Sequence, residues 1–294
     1  MNNLGFIGFG EASFHIARGL SSNIDVYAFD INATHKDLGP IIGERAEQAN
    51  VKLLPSLEEL AQSCTIILSA TSAKIALKIA QDCLPYIQPD HTYVDMNAAS
   101  PMVKEEIEKI LSEKNVSFVD VAVMGSVPAY GHKVPMLLSG SGASEFFTFG
   151  KALNMDFKVI SDQPGGSSAI KMVRSIFMKG FTMLAIETLQ AGIKYDIVDE
   201  IMESIGHTID ATEFKKLANN LITRTAIHSE RRVAEMEEVL STLERFQVDS
   251  TLSNATKEKL KQISEQHLAA YFDYRPPDDL MEVIKVLDGM EVST

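Results

Sequence analysis

The chain has 294 residues, with 27 Lys and Arg against 40 Asp and Glu, which gives a formal net charge of −13. The charge is evenly spread: residues up to Asp162 hold 12 basic and 19 acidic side chains, and later residues hold 15 and 21. These values exclude nucleic acids and anionic membrane surfaces as partners, and no segment reaches the ~20 apolar residues of a membrane span.

Up to Asp162, short β-rich segments alternate with helical patterns. The predicted strands are Gly5–Gly8, Asp25–Asp30, Thr65–Ala70, Thr92–Met96, Val116–Val123, Val134–Ser139 and Phe157–Ile160. The helices predicted between them include Ala12–Leu20, Leu57–Gln62, Ile75–Leu84 and Met102–Lys114. Because helix-length segments connect the strands, the alternation predicts a parallel sheet with crossover helices.

The pattern changes at Asp162–Gly166, and no proline follows Pro164 until Pro276. The intervening residues are rich in Met, Leu, Ile, Glu and Lys, which favours helices. The apolar pattern of Ser167–Lys194 predicts a long, largely buried helix. Asp278–Leu287 is predicted to form a final packed helix. We therefore predict an α/β domain in residues 1–162 and an all-α domain in residues 163–294.

Two cysteines, Cys64 and Cys83, are too few for a disulfide framework, and no Cys/His spacing fits a metal site. The apolar pattern starts at Leu4, so we expect no signal peptide. The expectation is a cytoplasmic protein with reduced thiols and no bound metal.

A glycine-rich loop, Gly8–Ser13, follows the first strand and opens a helix. The first glycine of such a loop permits a tight turn, and the second lets a pyrophosphate approach the backbone. The third position needs a small side chain and is Ser13 here. Free N–H groups at the helix start then face the phosphates. The predicted cofactor-binding residues are Gly8, Phe9, Gly10, Glu11, Ala12, Asp30, Ala70, Thr71 and Asn97.

Asp30 ends the second predicted strand. A carboxylate there accepts hydrogen bonds from the adenosine ribose and repels a 2′-phosphate, which favours NAD. His35 and Lys36 lie just beyond and can serve NADP instead. Both cofactors stay open, with NAD preferred.

Three ordered segments resemble the β-hydroxyacid dehydrogenase family, which includes 3-hydroxyisobutyrate and 6-phosphogluconate dehydrogenases. They are Leu4–Leu20, Asp120–Ser126 with Gly131 after it, and Gly165–Lys171. The last hundred or so residues look like the short helical C-terminal domain of a 6-phosphogluconate dehydrogenase-like branch. The resemblance implies a Rossmann-type NAD(P)-binding domain, an all-α substrate and dimerisation domain, and a homodimer or higher homo-oligomer.

The chain departs from the family pattern at three positions. Met124 replaces a serine that helps to hold a substrate carboxylate, Ser175 replaces an asparagine, and Asn97 replaces the serine of an Asp-x-Ser-Thr segment. Met124 predicts a pocket that is more apolar than usual. The predicted substrate-binding residues are Asn97, Met124, Gly125, Ser126, Arg174, Arg231 and Arg232.

Lys171 and Ser175 are the predicted catalytic residues. A lysine accepts a hydroxyl proton only when neutral, so its pKa must fall from about 10.4. Burial and a nearby cation both lower a lysine pKa. Arg174, at i+3, can clamp a substrate carboxylate or phosphate. Ser175, at i+4, can hydrogen-bond the substrate or the lysine.

A second group of polar residues lies at His228, Arg231, Arg232 and Glu235, which share one face of a regular helix. The basic pair can complete an anion site, including one in a neighbouring subunit. It can equally form surface ion pairs, with Arg231 bonded to Glu235. Both interpretations stay open.

The sequence thus predicts an NAD(P)-dependent oxidoreductase that interconverts a small anionic hydroxy acid or sugar acid and its oxo product. Lys171 is the expected general acid and base, and a β-keto product could lose carbon dioxide. The altered family positions keep open a catalytically silent dinucleotide-binding sensor. An imine reductase is the third possibility.

Overall fold

The computed structural model describes residues 3–290. By its internal contacts the chain divides into a first unit, Met1–Ile176, and a second unit, Phe177–Thr294. Within residues 3–290, no helix is both long and apolar enough to cross a membrane.

The first unit is built on a sheet of eight strands in order β3-β2-β1-β4-β5-β6-β7-β8. Neighbouring strands are parallel except for the antiparallel pair β6 and β7. The predicted crossover sheet is therefore confirmed, with one reversal and one additional short strand, β3. The strands are β1 Leu4–Ile7, β2 Val26–Phe29, β3 Lys52–Leu53, β4 Ile66–Ser69, β5 Thr92–Asp95, β6 Ser117–Val123, β7 Met136–Ser139 and β8 Phe157–Ser161.

Seven helices of the first unit connect these strands. Ser56 and Ser100 cap two of them, accepting hydrogen bonds from the N–H groups of Glu59 (3.1 Å) and Val103 (3.3 Å). The helices are α1 Glu11–Leu20, α2 Gly39–Gln48, α3 Leu57–Ser63, α4 Ala76–Cys83, α5 Pro101–Ser112, α6 Val127–Tyr130 and α7 Ala143–Ala152.

Both faces of the sheet are buried. Successive strand residues point to opposite faces, so Phe6 packs in one apolar cluster and Ile7 in the other. Tyr93 and Val94 divide in the same way. Helices on both sides supply the remaining apolar surface, as expected for a parallel sheet.

The two edge strands of the sheet are short or charged. β3 has two residues and begins with the exposed Lys52, and β8 carries the exposed Lys158. Lysine side chains on an edge disfavour pairing with a strand from another chain.

The remaining helices belong to the second unit or lead into it. α8 (Gly166–Tyr195) begins in the first unit, and α9 Val198–Asp210, α10 Phe214–Arg245, α11 Thr251–Glu265, α12 Leu268–Tyr271 and α13 Leu280–Leu287 follow. α10 is kinked at His228, whose φ and ψ of −116° and 21° are not helical. The shared helix face predicted for His228, Arg231 and Arg232 is therefore interrupted at its first member.

The expectation that Ser167–Lys194 is largely buried was wrong for the single chain. Most apolar side chains of α8 are exposed, with Ile176 at 76% and Ile193 at 66%. Glu187 is an exception: it is buried and accepts hydrogen bonds from the N–H groups of Leu252 (2.9 Å) and Ser253 (2.9 Å). Its carboxylate thereby caps the start of α11.

Candidate functional site

The glycine loop joins β1 to α1 in a conformation that only glycine adopts easily. Gly8 has a φ of 85°, and a Cβ there would lie 2.7 Å from the carbonyl oxygen of Ala70. Ser13 closes the turn, since its hydroxyl donates to the Gly8 carbonyl at 2.7 Å. A Cβ built on Gly10 meets nothing within 4 Å. The backbone at the start of α1 is therefore open, which fits a bound pyrophosphate.

Asp30 lies directly after β2, beside this loop. Its carboxylate accepts hydrogen bonds from the N–H groups of Phe9 (2.7 Å) and Asn32 (2.8 Å). The Phe9 ring is buried in the core, so Phe9 has only its backbone at the loop. His35 is already engaged, because its Nδ1 accepts from the Asp37 N–H at 3.2 Å.

Asn97 follows β5 and is 5% exposed. Its Oδ1 accepts from the Thr71 N–H at 2.7 Å, and its Nδ2 donates to Ser69 (3.0 Å) and Asp95 (3.1 Å). The amide thus fixes the backbone after β4 from within. We call Thr71–Ala73 together with Asn97 the shelf.

The loop of residues 124–134 packs against α1. Met124 donates its N–H to the Pro135 carbonyl at 2.8 Å. A Cβ at Gly19 would overlap the ring of His132, so glycine permits the contact between helix and loop. Burial, and secondarily the charge of Lys133, lower the pKa of His132. A neutral imidazole suits this packed position.

One cleft of about 640 Å³ in the first unit is lined by eight of the predicted site residues, among them Lys171 and Arg174. Lys171 is partly buried on its wall and Arg174 is exposed one turn later. The lining residues are Ala12, Ala70, Thr71, Ser72, Ala73, Met96, Asn97, Ala98, Val123, Met124, Gly125, Val127, Lys171 and Arg174.

Other predicted site residues lie elsewhere. Ser175 donates its hydroxyl to the Lys171 carbonyl at 2.9 Å and is not among the cleft-lining residues. Ser126 is exposed at the start of α6. In the second unit, Arg231 pairs with Glu235 at 3.3 Å, and Arg232 donates to Thr225 at 2.6 Å. Their proposed substrate and catalytic roles stay predictions.

Sequence reasoning missed a buried ionic cluster behind the cleft. Lys104 contacts Asp95 at 2.6 Å and Asp120 at 3.2 Å, and all three side chains have zero exposure. A signal was available, because Lys104 shares the helical spacing of the buried Ile107 and Leu111. A lysine in an apolar stripe requires a buried counterion.

Comparison with known proteins agrees with this geometry. Residues 3–153, more than half of the chain, match the NAD-binding domain of 6-phosphogluconate dehydrogenase. The chain belongs to this family. Residues 193–263 match a domain of unknown function, DUF1932. The predicted NAD(P)-binding domain is thereby confirmed, as is the α/β fold with a helical C-terminal region. The roles of the individual residues of the glycine loop stay predictions.

Relatives of this 6-phosphogluconate dehydrogenase-like chain include proteins with and without a named activity. A solved conserved hypothetical protein from Sinorhizobium meliloti is 30% identical, with coverage of 92% of this chain and 89% of its own, at a TM-score of 0.61. A 2-(hydroxymethyl)glutarate dehydrogenase from Eubacterium barkeri is 25% identical, covering 69% and 67%. An imine reductase from Myxococcus stipitatus in complex with NADP+ shares the fold: TM-score 0.73, 15% identity, coverage 97% and 99%.

Proposed function

We propose that the protein is an NAD(P)-dependent oxidoreductase that interconverts a small anionic hydroxy acid and its oxo product. One observation carries the proposal: Lys171 and Arg174 line the same cleft as Ala12, in the first turn of the nucleotide-binding helix. An ammonium and a guanidinium beside a dinucleotide site provide one proton-transfer group and one anion clamp. The relative from Eubacterium barkeri, named for a hydroxy acid substrate, supports this class.

The residues divide the chemistry as follows. A dinucleotide held by the glycine loop and Asp30 would supply the hydride acceptor or donor for the substrate carbon. Lys171 accepts the hydroxyl proton during oxidation and returns it to the carbonyl oxygen during reduction. Arg174 pairs with the substrate carboxylate or phosphate, while the shelf and Met124 enclose the rest of the molecule. The apolar Met124 favours a substrate with a carbon side chain near the reacting centre.

The cofactor preference follows from Asp30. Its carboxylate is held at the end of β2 by the Phe9 and Asn32 N–H groups, where a 2′-phosphate would meet a negative charge. The Nδ1 of His35 accepts a hydrogen bond from the Asp37 N–H within its own turn. Because this nitrogen is already bonded, it is not available to a 2′-phosphate, which argues against NADP. We therefore propose that NAD binds more tightly than NADP.

The test is a thermal-shift screen with NAD and NADP, alone and combined with hydroxy acids and phosphorylated sugar acids. A further shift above that of the cofactor alone identifies the substrate class. Nicotinamide absorbance then measures turnover of each positive compound. Cofactor binding without hydride transfer to any hydroxy acid, oxo acid or imine would overturn the proposal in favour of a silent sensor.

Imine reduction is the second candidate. The cleft contributes apolar side chains from Met96, Val123, Met124 and Val127, which suit an uncharged imine. Lys171 then serves only as the proton donor. Turnover of cyclic imines but of no hydroxy acid would select this reaction.

We propose in addition that the protein works as a homodimer. Many apolar side chains of α8 and α9 are exposed in the single chain, including Phe181, Ile193 and Met202, and exposed apolar side chains that cluster on one surface mark interaction sites. A second copy of the same chain is the partner that would cover them. A monomer mass by light scattering would refute this.

A further inference from the structure

Two carboxylates lie side by side in the first unit, behind the cleft. Asp95 on β5 and Asp120 on β6 are partners in the register of the parallel pair, and neither side chain is exposed. Like charges placed in this way destabilise a sheet. Lys104 of α5 relieves the repulsion, because its ammonium contacts Asp95 at 2.6 Å and Asp120 at 3.2 Å.

Asp95 is hydrogen-bonded to the shelf through Asn97. Besides Lys104, its carboxylate accepts the N–H of Asn97 at 2.8 Å and the Asn97 Nδ2 at 3.1 Å. Asn97 in turn accepts the Thr71 N–H at 2.7 Å. Three consecutive hydrogen-bonded contacts therefore join the Lys104 ammonium to the backbone that lines the cleft.

Asp120 is hydrogen-bonded to the first turn of α8 through Ser168. Its carboxylate accepts the N–H of Ser168 at 3.0 Å, the Ser168 hydroxyl at 2.7 Å and the Ser139 hydroxyl at 3.2 Å. Ser139 also accepts the Ser167 N–H at 2.9 Å. These N–H groups have no partner inside the helix, so Asp120 and Ser139 determine where α8 begins. Lys171 lies one turn later.

We infer that Lys104 is a positioning residue: it links Asp95 to Asp120 and so holds the shelf and the first turn of the Lys171 helix in one fixed arrangement. An apolar side chain would fill the same space without balancing two carboxylates, and a buried carboxylate without a cation is unfavourable. Lys104 has zero exposure and is not among the residues that line the cleft. Its effect on turnover rests on the proposed function, whereas its effect on the backbone does not.

The test is amide hydrogen exchange on the cofactor-free protein, comparing wild type with Lys104→Met. The three reporters are the N–H groups of Thr71, Ser167 and Ser168, and we expect about tenfold faster exchange because their acceptors lose alignment. The amides of β1 are the internal reference and keep their rates. Lys109→Met, on the exposed side of the same helix, is the matched control and changes no reporter.

A purely structural role would raise the exchange of β1 and of the reporters by the same factor, and that result overturns the inference. The double variant Lys104→Met/Asp120→Asn guards against simple misfolding, since an Asn side chain still accepts the Ser168 N–H without a charge. We expect it to regain protection at Ser168. Unchanged fast exchange in the double variant would also overturn the inference.

Turnover separates this inference from the proposed function. With any substrate found by the screen, Lys104→Met should lower kcat about tenfold, in line with the lost alignment. An inactive wild type with the expected exchange pattern refutes the proposed reaction and leaves the positioning role intact. Altered exchange with unchanged kcat would overturn the link between Lys104 and Lys171.

Discussion

Phe6 and Tyr93 of the first unit are fully enclosed between the sheet and its helices, whereas Ile193 and Phe214 of the second unit face solvent in the single chain. Among the described residues beyond Ile176, the buried apolar side chains are Ala226, Leu243, Leu268 and Val283. The first unit therefore has a large apolar core of its own, on both faces of the sheet. The second unit buries few apolar side chains within the single chain, which fits the proposed dimer.

The same contrast holds for polar groups. The first unit holds its buried ions together behind the cleft, in the Lys104 cluster. The second unit uses a buried carboxylate, Glu187, to cap a helix. The proposed reaction would thus belong to the first unit and the proposed dimer contact to the second, and four measurements test this division.

Lys171→Met should have the largest effect, because it removes the proposed proton-transfer group from the first unit. We expect kcat to fall by about 10²–10⁴-fold while the cofactor still binds. Nicotinamide absorbance and a fluorescence titration measure the two quantities. Lys179→Met, on the exposed part of the same helix, is the control. Normal turnover in Lys171→Met would remove the catalytic role from the first unit.

Phe181→Glu combined with Leu184→Glu should abolish the dimer, because two charges replace apolar contact surface on α8. Light scattering would then give the mass of one chain, 32.3 kDa. Ile31→Glu, at an exposed apolar position of the first unit, should leave the dimer intact. A dimer that survives the double substitution locates the interface elsewhere.

Glu187→Gln should destabilise the second unit alone. An amide cannot accept all the hydrogen bonds from Leu252 and Ser253, and a buried hydrogen bond to a charged group contributes about 1.5–3 kcal/mol to the free energy of unfolding. Urea titration with circular dichroism measures the loss. Glu258→Gln, exposed on α11, is the matched control. Equal losses in both variants would argue against the cap.

The smallest expected effect is that of pH on the two buried thiols, which both lie in the first unit. Burial raises the pKa of Cys64 from 9.0 to about 12, and burial with the charge of Asp82 does the same for Cys83. Each thiol has a higher pKa in the folded chain than in the unfolded chain. Its contribution to the free energy of unfolding is therefore complete below pH 9 and disappears as the pH rises towards 12. Thiol labelling at pH 8 should follow unfolding of the first unit only. Rapid labelling of the native protein would show that its core opens.

Much of the first unit could be predicted from local pattern. Strand β5 begins at Thr92 as expected, and the Gly8 turn has the conformation that the glycine loop requires. The two-residue strand β3 is too short to leave a periodic signal. The Lys104 cluster could not be predicted from local pattern, because Lys104, Asp95 and Asp120 lie on three separate elements and come into contact only in the folded chain. The burial of α8 was overestimated, since apolar composition does not say whether the covering surface belongs to the same chain.

The lysines at the margins of the sheet restrict how copies of this protein can associate. Lys52 sits on a strand of two residues and Lys158 projects from the opposite margin, so neither offers an uncharged strand long enough for backbone pairing. Continuous sheets across subunits are therefore disfavoured. The proposed dimer would therefore use side chains on helices, which can be varied one residue at a time without disturbing the strands of the sheet.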